Sequence, residues 1–294
     1  MKKKDNKKIC VIGDAFFDVF VPVGELEQGG SFVRNILTCP GGTANIAVWA
    51  RRLGIESCFI GKIGSDVFGL MFRKDLEKER VCDLTMRDTA HATGICVSLI
   101  DTNGERTMVT SRGANDCWTL HEMEHLLLSI HSSYIVFVTG YSMICETNAT
   151  VLEVVMNRIR AKGCEIWFNP GAENIIDDRV SDFIRKFVDF LILNEVEANK
   201  LAGGLFTNPD VLMNNYSCKG VIITSGKNGS ISATRDGIVM KHAATVPELV
   251  DTTGAGDAFA AGVAAGWLRG LQLDECLSLG HDTAAKVIQK VGAR

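Results

Sequence analysis

The chain has 294 residues, of which 46% are hydrophobic and 22% charged, and its formal net charge is −4. Disordered chains combine low hydrophobicity with a high net charge, so this composition excludes them. The balance of 31 Lys and Arg against 35 Asp and Glu argues against a nucleic-acid partner. The length favours one large α/β domain over two full-sized ones, so residues 1–294 are expected to form a single domain.

Ten cysteines are spread along the chain, and no two of them form a Cys-x-x-Cys pair. Metal sites usually need closely spaced ligand pairs, so a zinc site is not expected. No apolar run approaches the ~18 residues of a membrane-spanning helix, and the apolar run near the N-terminus is too short for a signal peptide. These features predict a reduced, cytoplasmic protein with no membrane partner.

Short apolar runs alternate with helical patterns along most of the chain. The first run, 9–13, ends in a glycine and is typical of a buried strand, and the helical pattern that follows ends before Gly54. The predicted strands are 9–13, 57–60, 134–138, 165–168, 187–193 and 220–224, and the predicted helices are 43–53, 69–78, 147–161, 195–201, 256–268 and 273–291. Strands separated by helices predict a mainly parallel sheet with helices on both faces.

Two hairpin patterns interrupt this alternation. Segments 93–100 and 107–110 flank an Asn103-Gly104 turn, and segments 230–234 and 239–241 flank Asp236-Gly237. With the strand-like residues 18–23, the first hairpin predicts a small β-sheet lid formed by segments around 15–38 and 91–112. Such a sheet is not stable alone, so its free face needs a substrate or a second subunit. We therefore predict a homodimer joined through the lid.

The sharpest motif is Gly254-Ala255-Gly256-Asp257, at the start of an apolar helix. Unpaired N–H groups and the positive end of the helix dipole form an anion site there. A carboxylate beside a bound phosphate is chemically useful if Asp257 accepts the proton of a hydroxyl that attacks the phosphate. The alternative is a glycine-rich helix start with a dipole-stabilising aspartate. A dinucleotide fingerprint fits less well, because the third glycine is missing, and no Walker A spacing occurs.

Other polar residues follow predicted strands at the carboxyl edge of the sheet, where open α/β proteins bind ligands. Asp18 lies one turn after the first strand, and Asn194 and Glu197 follow the strand that ends at Leu193. The alternative for Asn194 and Glu197 is a polar helix cap. Asn45 faces the glycine loop that opens the first helix.

In this order the motifs resemble the ribokinase-like (PfkB) carbohydrate kinase family over nearly the whole chain. The segments that carry the resemblance are Pro40-Gly41-Gly42 with Asn45, Gly61-x-x-Gly64-Ser65-Asp66-x-Phe68-Gly69, Gly113-Ala114-Asn115, Asn194-Glu195-Val196-Glu197, Thr224-Ser225-Gly226-x-x-Gly229 and Asp251–Asp257. Several motifs in the family's order are far more specific than any one of them. The resemblance implies a ribokinase-like fold that uses ATP and Mg²⁺.

The resemblance also implies a role for each matching position. Asp257 would be the catalytic base, and Gly254, Ala255 and Gly256 the anion hole for the transferred phosphoryl group. Asn194 and Glu197 would hold Mg²⁺ through water, a ligand set that suits this ion. The implied ATP-binding residues are Asn194, Thr224, Gly226 and Gly229. The implied acceptor-binding residues are Asp18, Gly42, Asn45 and Arg112.

Two departures from the family pattern concern the cation and the sugar loop. Members that need a monovalent cation use the loop after Asp251, where Asp251 and Thr253 are present, and a stretch near the C-terminus. The sequence stops at Gly292-Ala293-Arg294, so the second cation loop would be shortened, which argues against a potassium requirement. The loop between Gly42 and Asn45 is one residue shorter than in many members.

The predicted function is an ATP-dependent phosphotransferase that acts on a hydroxyl of a small sugar, either a pentose or a ketohexose. Asp18 and Asn45 suit hydroxyl groups, and only Arg112 could compensate an acidic acceptor. The lid strands carry no aromatic ring for a nucleobase, although Phe16, Phe17 and Phe20 lie near Asp18. Two alternatives stay open: a nucleoside kinase of the same family, and a non-catalytic sugar or nucleotide sensor on this fold.

Overall fold

The computed structural model describes residues 7–23, 32–101, 106–204, 208–246 and 248–294. The predicted Asn103-Gly104 turn and part of the predicted 15–38 lid segment lie outside these residues. The strands are β1 Lys8–Ile12, β2 Ala15–Pro22, β3 Leu37–Gly42, β4 Glu56–Ile60, β5 Lys62–Gly64, β6 Cys82–Asp83, β7 Met86–Asp88, β8 Gly94–Ile100, β9 Arg106–Ser111, β10 Tyr134–Thr139, β11 Glu165–Asn169, β12 Phe190–Asn194, β13 Gly220–Thr224, β14 Ser230–Thr234 and β15 Gly237–Lys241. The helices are α1 Ala44–Arg52, α2 Val67–Lys78, α3 Leu120–Leu127, α4 Glu146–Ala161, α5 Asp178–Phe187, α6 Glu195–Leu201, α7 Pro209–Tyr216, α8 Ala255–Arg269 and α9 Leu273–Val287.

The main sheet has the strand order β15-β14-β13-β12-β11-β10-β1-β4-β6. All neighbours pair in parallel except β13–β14 and β14–β15, which are antiparallel. Successive residues of β1 face opposite sides: Cys10 and Ile12 join one hydrophobic core, and Ile9 and Val11 join the other. A strand buried on both faces reads as an unbroken apolar run, which is why the sequence pattern identified it.

A second sheet has the order β3-β2-β8-β9, in which β2 and β8 pair in parallel and the other pairs are antiparallel. Its strands overlap the predicted lid segments around 15–38 and 91–112, and β3 continues to Gly42. The lid role stays a prediction. The α/β fold, with a mainly parallel sheet flanked by helices and a small separate sheet, is confirmed.

Two of the predicted boundaries in the main sheet and its helices differ from the structure by several residues. The predicted strand 187–193 begins at Phe190, because Phe187 ends α5, where it completes a buried stripe with Val180, Phe183 and Ile184. The spacing of this stripe is helical, so burial of that face fixes the helix through Phe187. The predicted helix 273–291 ends at Val287, after which the chain turns back toward the loop before α8. Among the described residues, no helix is both long and apolar enough to span a bilayer.

Candidate active site

The candidate site lies at the carboxyl edge of the parallel sheet, where three neighbouring cavities share walls. We name them the acceptor cavity (≈ 440 Å³, with Asp18 and Asn45), the middle cavity (≈ 190 Å³, with Glu197) and the donor cavity (≈ 450 Å³, with Gly226). Asp257 lines both the acceptor and the middle cavity, and Gly256 lines both the middle and the donor cavity. The motif that the sequence singled out therefore lies where the three cavities meet.

The acceptor cavity brings together all four predicted acceptor-binding residues. Asp18, Gly42, Asn45 and Arg112 line it, together with Asp257. Gly42 has φ of 70°, and a Cβ there would lie 2.5 Å from the Asp14 carbonyl oxygen, so only glycine fits without a shift of the backbone. This close approach fixes the path of β3 into α1 and thus the position of Asn45.

Asp257 lies in the first turn of α8, and its Oδ2 accepts a hydrogen bond of 3.0 Å from Asn45 Nδ2. Burial raises the pKa of the Asp257 carboxyl to about 6, although the Asn45 bond and the Arg294 charge act in the opposite direction. At neutral pH the group is therefore largely ionised, but it binds a proton more readily than an exposed aspartate. That is the state expected of a general base.

Asp18, on β2, is the second carboxylate of the acceptor cavity. Burial raises its pKa to about 7, with Arg294 lowering it and Asp257 raising it further. Asp18 also requires the glycine beside it, because a Cβ on Gly41 would lie 1.8 Å from Asp18 Oδ2. The carboxylate can accept a hydrogen bond from an acceptor hydroxyl.

The start of α8 carries Gly254, Ala255 and Gly256, the residues predicted as an anion hole. Gly254 is the N-cap in the left-handed region, with φ of 76° and ψ of 0°, and the Ala255 N–H donates to the Thr252 carbonyl at 3.2 Å. Gly256 is exposed to the cavities, and N–H groups of a first helical turn have no intrahelical acceptor. The helix start can therefore stabilise negative charge at the junction of the three cavities.

The donor cavity contains the predicted nucleotide-loop residues. Thr224 ends β13, and Gly226 and Gly229 bound the turn that follows it. His281 of α9 lines the same cavity, and its Nε2 lies 2.8 Å from Ser230 Oγ. Burial lowers the pKa of this histidine, so it is neutral at pH 7. The cavity volume of ≈ 450 Å³ suits a nucleotide-sized ligand.

Asn194 and Glu197 line the middle cavity and form a capping box at the start of α6. Glu197 Oε1 accepts from Asn194 Nδ2 at 2.7 Å, and its Oε2 accepts from the Asn194 N–H at 3.0 Å. Burial raises the pKa of Glu197 against these hydrogen bonds. The two predicted roles of Asn194 and Glu197, a helix cap and a metal site, are thus compatible. The hydrogen bonds of the cap hold the Glu197 carboxylate in place, and Mg²⁺ that keeps its water ligands can bind such a carboxylate through water.

Arg112 lines the acceptor cavity, but its charge is already paired. Its guanidinium makes a two-bond contact with Asp14, at 2.7 and 3.2 Å, and its Nε donates to Asp116 at 2.6 Å. Burial raises the pKa of Asp14 even though Arg112 lowers it, and the Arg112 side chain itself is partly exposed. Arg112 therefore presents little uncompensated positive charge to a ligand.

In the loop predicted to bind a monovalent cation, the Asp251 carboxylate accepts hydrogen bonds from backbone N–H groups of the protein. Asp251 is buried; its Oδ1 accepts from the Thr253 N–H at 2.6 Å, and its Oδ2 accepts from the Gly292 N–H at 2.9 Å. Thr253 lines the acceptor cavity. In this structure Asp251 thus ties the loop before α8 to the C-terminal segment.

Three site residues were not predicted from the sequence. Asn169 ends β11 and lines the acceptor and middle cavities, and the strand-end argument applied to Asn194 would have found it. Tyr141 follows β10 at the same edge and offers an aromatic ring to the acceptor cavity. Arg294 contacts Asn45 from the end of the chain, and nothing in the local sequence indicates this contact.

A nucleotide-sized cavity and a cavity lined by polar side chains, which meet beside a carboxylate and a helix start, are typical of a small-molecule phosphotransferase. The sequence model of the pfkB family carbohydrate kinases matches residues 6–294. The chain is 32% identical to the fructokinase of Klebsiella pneumoniae over 272 residues, which cover 89% of this chain and 84% of that protein. The chain therefore belongs to the PfkB family of carbohydrate kinases, which confirms the predicted family and the prediction of a carbohydrate kinase.

Two solved structures share the fold. The adenosine kinase from Sinorhizobium meliloti has a TM-score of 0.87 and 23% identity, with 98% of this chain and 96% of that chain covered. A protein assigned as ribokinase II from Escherichia coli, in complex with ATP and Mg²⁺, has a TM-score of 0.83 and 20% identity, with 98% and 94% covered.

Proposed function

We propose that this kinase transfers the γ-phosphoryl group of ATP to a hydroxyl of a neutral sugar, either a pentose or a ketohexose. The observation that supports this most is the shared wall of the three cavities at Gly256 and Asp257. An acceptor hydroxyl beside Asp257 would face a phosphoryl group held at the start of α8. Both a fructokinase and a protein assigned as ribokinase II are among the similar proteins.

In this proposal each residue has one task. Asp257 orients the attacking hydroxyl and accepts its proton, and an aspartate of raised pKa suits a loose transition state in which the proton leaves late. The N–H groups at the start of α8 stabilise charge on the transferred group. Asn194 and Glu197 would hold Mg²⁺ through water, and this ion neutralises charge on the phosphates of ATP. Asp18 and Asn45 bind acceptor hydroxyls.

The preference for a neutral acceptor follows from charge. Asp18 and Asp257 are acidic groups of the acceptor cavity with no direct ion pair among the described residues, whereas Asp14 is paired with Arg112. An anionic acceptor would have to approach the carboxylates of Asp18 and Asp257. Arg112 offers little charge to offset them, because its guanidinium already bonds the carboxylates of Asp14 and Asp116. Like charges in a partly desolvated cavity disfavour binding, so phosphorylated or acidic sugars are expected to be poor acceptors.

A nucleoside acceptor is the second candidate. The Tyr141 side chain is 40% exposed, and it lines the acceptor cavity with Phe16 and Phe20. Aromatic rings can stack on a nucleobase, and the cavity of ≈ 440 Å³ is large enough for one. The same rings can also cover the apolar face of a sugar, so they do not decide between the two candidates.

A coupled ADP-release assay with ribose, fructose, 2-keto-3-deoxygluconate and adenosine tests the proposal, with wild type and Arg112→Ala. We expect the highest kcat/KM for ribose or fructose. A nucleoside that exceeds every free sugar by about tenfold, roughly 1.4 kcal/mol in transition-state binding, would contradict the sugar assignment. Ligand-induced stabilisation without turnover on any acceptor would favour a non-catalytic sensor. If only the acidic sugar loses activity in Arg112→Ala, Arg112 binds a carboxylate and the neutral-acceptor argument is wrong.

We also propose that catalysis does not require potassium, because both Asp251 carboxylate oxygens already accept backbone N–H bonds. Replacement of KCl by choline chloride should leave kcat unchanged, and a loss of activity that KCl restores would contradict this.

Finally, we propose a homodimer through the second sheet. Its edge strand β9 exposes Met108 and Val109, and unpaired strand edges favour pairing with another chain. A monomer mass that does not change with concentration in light scattering would contradict it.

A further inference from the structure

The last residues of the chain, 288–294, pack against the loop that precedes α8. The Asp251 N–H donates to the Ile288 carbonyl at 3.2 Å, and Trp49 Nε1 donates to the Ala293 carbonyl at 3.0 Å. A Cβ on Gly254 would lie 2.4 Å from the Cβ of Ala293, so the two chains are in direct contact. This segment therefore lies between α1 and the helix start that forms the anion hole.

The segment ends in Arg294, whose side chain is only 7% exposed. Its Nε donates to Asn45 Oδ1 at 2.7 Å, and its Nη1 is paired with Asp75 of α2. Its Nη2 is buried without a hydrogen-bond partner among the described residues. Asn45 in turn donates from Nδ2 to Asp257 Oδ2 at 3.0 Å. A continuous path thus runs from Asp75 through Arg294 and Asn45 to Asp257.

The polarity of this path fixes the orientation of the amide. A guanidinium only donates hydrogen bonds, and an ionised carboxylate only accepts them. Between Arg294 and Asp257, Asn45 satisfies both neighbours in one orientation only, with its oxygen toward the arginine and its NH₂ toward the aspartate. Without Arg294, the Asn45 amide could rotate more easily to the reversed orientation, in which its oxygen would point at the Asp257 carboxylate.

We propose that Arg294 is a positioning residue, which holds Asp257 toward the acceptor cavity through Asn45. The inference rests on the phosphotransfer function proposed above. Arg294 is not among the residues that line the acceptor cavity, so it acts through Asn45 and not by contact with the acceptor.

The positive charge of Arg294 also favours the ionised Asp257 that its hydrogen bond to Asn45 positions. The groups that face Asp257 are Asn45 from α1, Arg294 from the C-terminal segment, Asp18 from β2, Tyr141 from the turn after β10, and Glu197 from α6 across the middle cavity. Arg294 lowers the pKa of both Asp257 and Asp18. Its removal leaves burial and the Asp18 charge without a compensating cation, so Asp257 would be ionised only at higher pH.

Steady-state kinetics of Arg294→Met and Arg294→Lys, over a range of pH, test the proposal. For Arg294→Met we expect kcat to fall on the order of 10- to 100-fold, as for a misplaced catalytic group. We also expect its acidic limb of kcat/KM to move to higher pH. Arg294→Lys keeps the charge but lacks the planar guanidinium that bonds Asn45 and Asp75 together. Its kcat should therefore fall, while the acidic limb of its kcat/KM profile stays near that of wild type.

Arg73→Met is the matched control. It removes a cation from α2, the helix that carries Asp75, at a position where Arg73 pairs with Asp83 at 2.5 Å. We expect its kcat and its acidic limb to equal those of wild type. Wild-type kcat in both Arg294 variants would overturn the proposal, as would an equal loss in Arg73→Met.

A double-mutant cycle separates positioning from a general loss of stability. In an Asn45→Ala background, Arg294→Met should change kcat little further, because the path is already broken. Full additivity of the two effects would overturn the proposal.

A ¹³C-carboxyl titration of Asp257 by NMR, in the protein without substrate, tests the Arg294 charge independently of turnover. An unchanged Asp257 pKa in Arg294→Met would overturn that part of the inference. Absence of turnover in wild type would instead count against the proposed function.

Discussion

Two glycines at the start of the same helix should respond in opposite ways to substitution by alanine. Gly254 has a left-handed backbone, with φ of 76°, and an added Cβ would lie 2.4 Å from Ala293 Cβ and 2.7 Å from Ala293 Cα. An added Cβ on Gly256 has no atom within 4 Å, and Gly256 lines the donor and middle cavities. The methyl group of Gly254→Ala would therefore overlap protein atoms, whereas that of Gly256→Ala would occupy only the space proposed for the phosphates.

The magnitudes follow from these two environments. In Gly254→Ala, left-handed strain contributes ~1–2 kcal/mol and overpacking ~1–3 kcal/mol, so the free energy of unfolding should fall by about 2–5 kcal/mol. In Gly256→Ala it should stay the same or rise by up to ~1 kcal/mol, because alanine favours the helix. The methyl group of Gly256→Ala would displace the phosphoryl group from its N–H donor, so kcat should fall by about 10²–10³-fold.

Equilibrium urea unfolding and kcat with the best acceptor, measured on both variants, test this contrast. A Gly256→Ala enzyme with wild-type kcat would show that no reacting phosphoryl group occupies the space beside Gly256. A Gly254→Ala enzyme with wild-type stability would refute the contact between the helix start and Ala293.

Three further predictions concern the same site. The value of kcat/KM should fall as the pH decreases through about 6, because the pKa of Asp257 is raised to about 6 and the base must be ionised; a profile flat down to pH ~4.5 would exclude a raised pKa. Folding raises the pKa of Asp18 from 3.8 to about 7, so between these pH values the unfolded chain is ionised at Asp18 and the folded state is destabilised. Asp18→Asn removes this cost, and it should therefore raise the free energy of unfolding more at pH 7 than at pH 4. Urea unfolding at both pH values checks this, and an equal gain at both would contradict it. Glu197→Gln keeps an acceptor for the Asn194 N–H but loses the charge and the hydrogen bond from Asn194 Nδ2. It should raise the Mg²⁺ concentration for half-maximal activity ~10–100-fold and lower the free energy of unfolding by about 1 kcal/mol, and an unchanged Mg²⁺ requirement would remove Glu197 from the metal site.

Much of the site could be predicted from the sequence because parallel strands end at one edge. Asn194 ends β12 and Thr224 ends β13, so residues 30 positions apart meet beside the start of α8. The same argument would have placed Asn169, which ends β11 beside them. Gly254 was informative because its left-handed backbone and its contact with Ala293 both favour glycine, whereas an added Cβ on Gly256 meets no protein atom within 4 Å.

Other features depended on tertiary packing. Arg294 contacts Asn45 across 249 positions of sequence, through a segment that turns only after α9 ends, and no local pattern specifies that contact. Arg112 could be identified as the cation of the acceptor cavity, but its pairing with Asp14 requires the structure, because Asp14 in sequence is typical of a turn residue. The boundary at Phe187 was ambiguous because only Val188 and Asp189 separate Phe187 from the apolar strand β12.

The substitution Asp257→Asn tests the central claim most directly, with turnover measured by ADP release and nucleotide binding by calorimetry. Asparagine preserves the size of the side chain but accepts the hydroxyl proton poorly. General-base catalysis contributes ~10²–10⁴-fold, so turnover should fall below ~1% of wild type. The affinity for ATP should stay near that of wild type, because Asp257 lines the acceptor and middle cavities and not the donor cavity. Turnover above that level, with an intact fold, would contradict the assignment of Asp257 as the base.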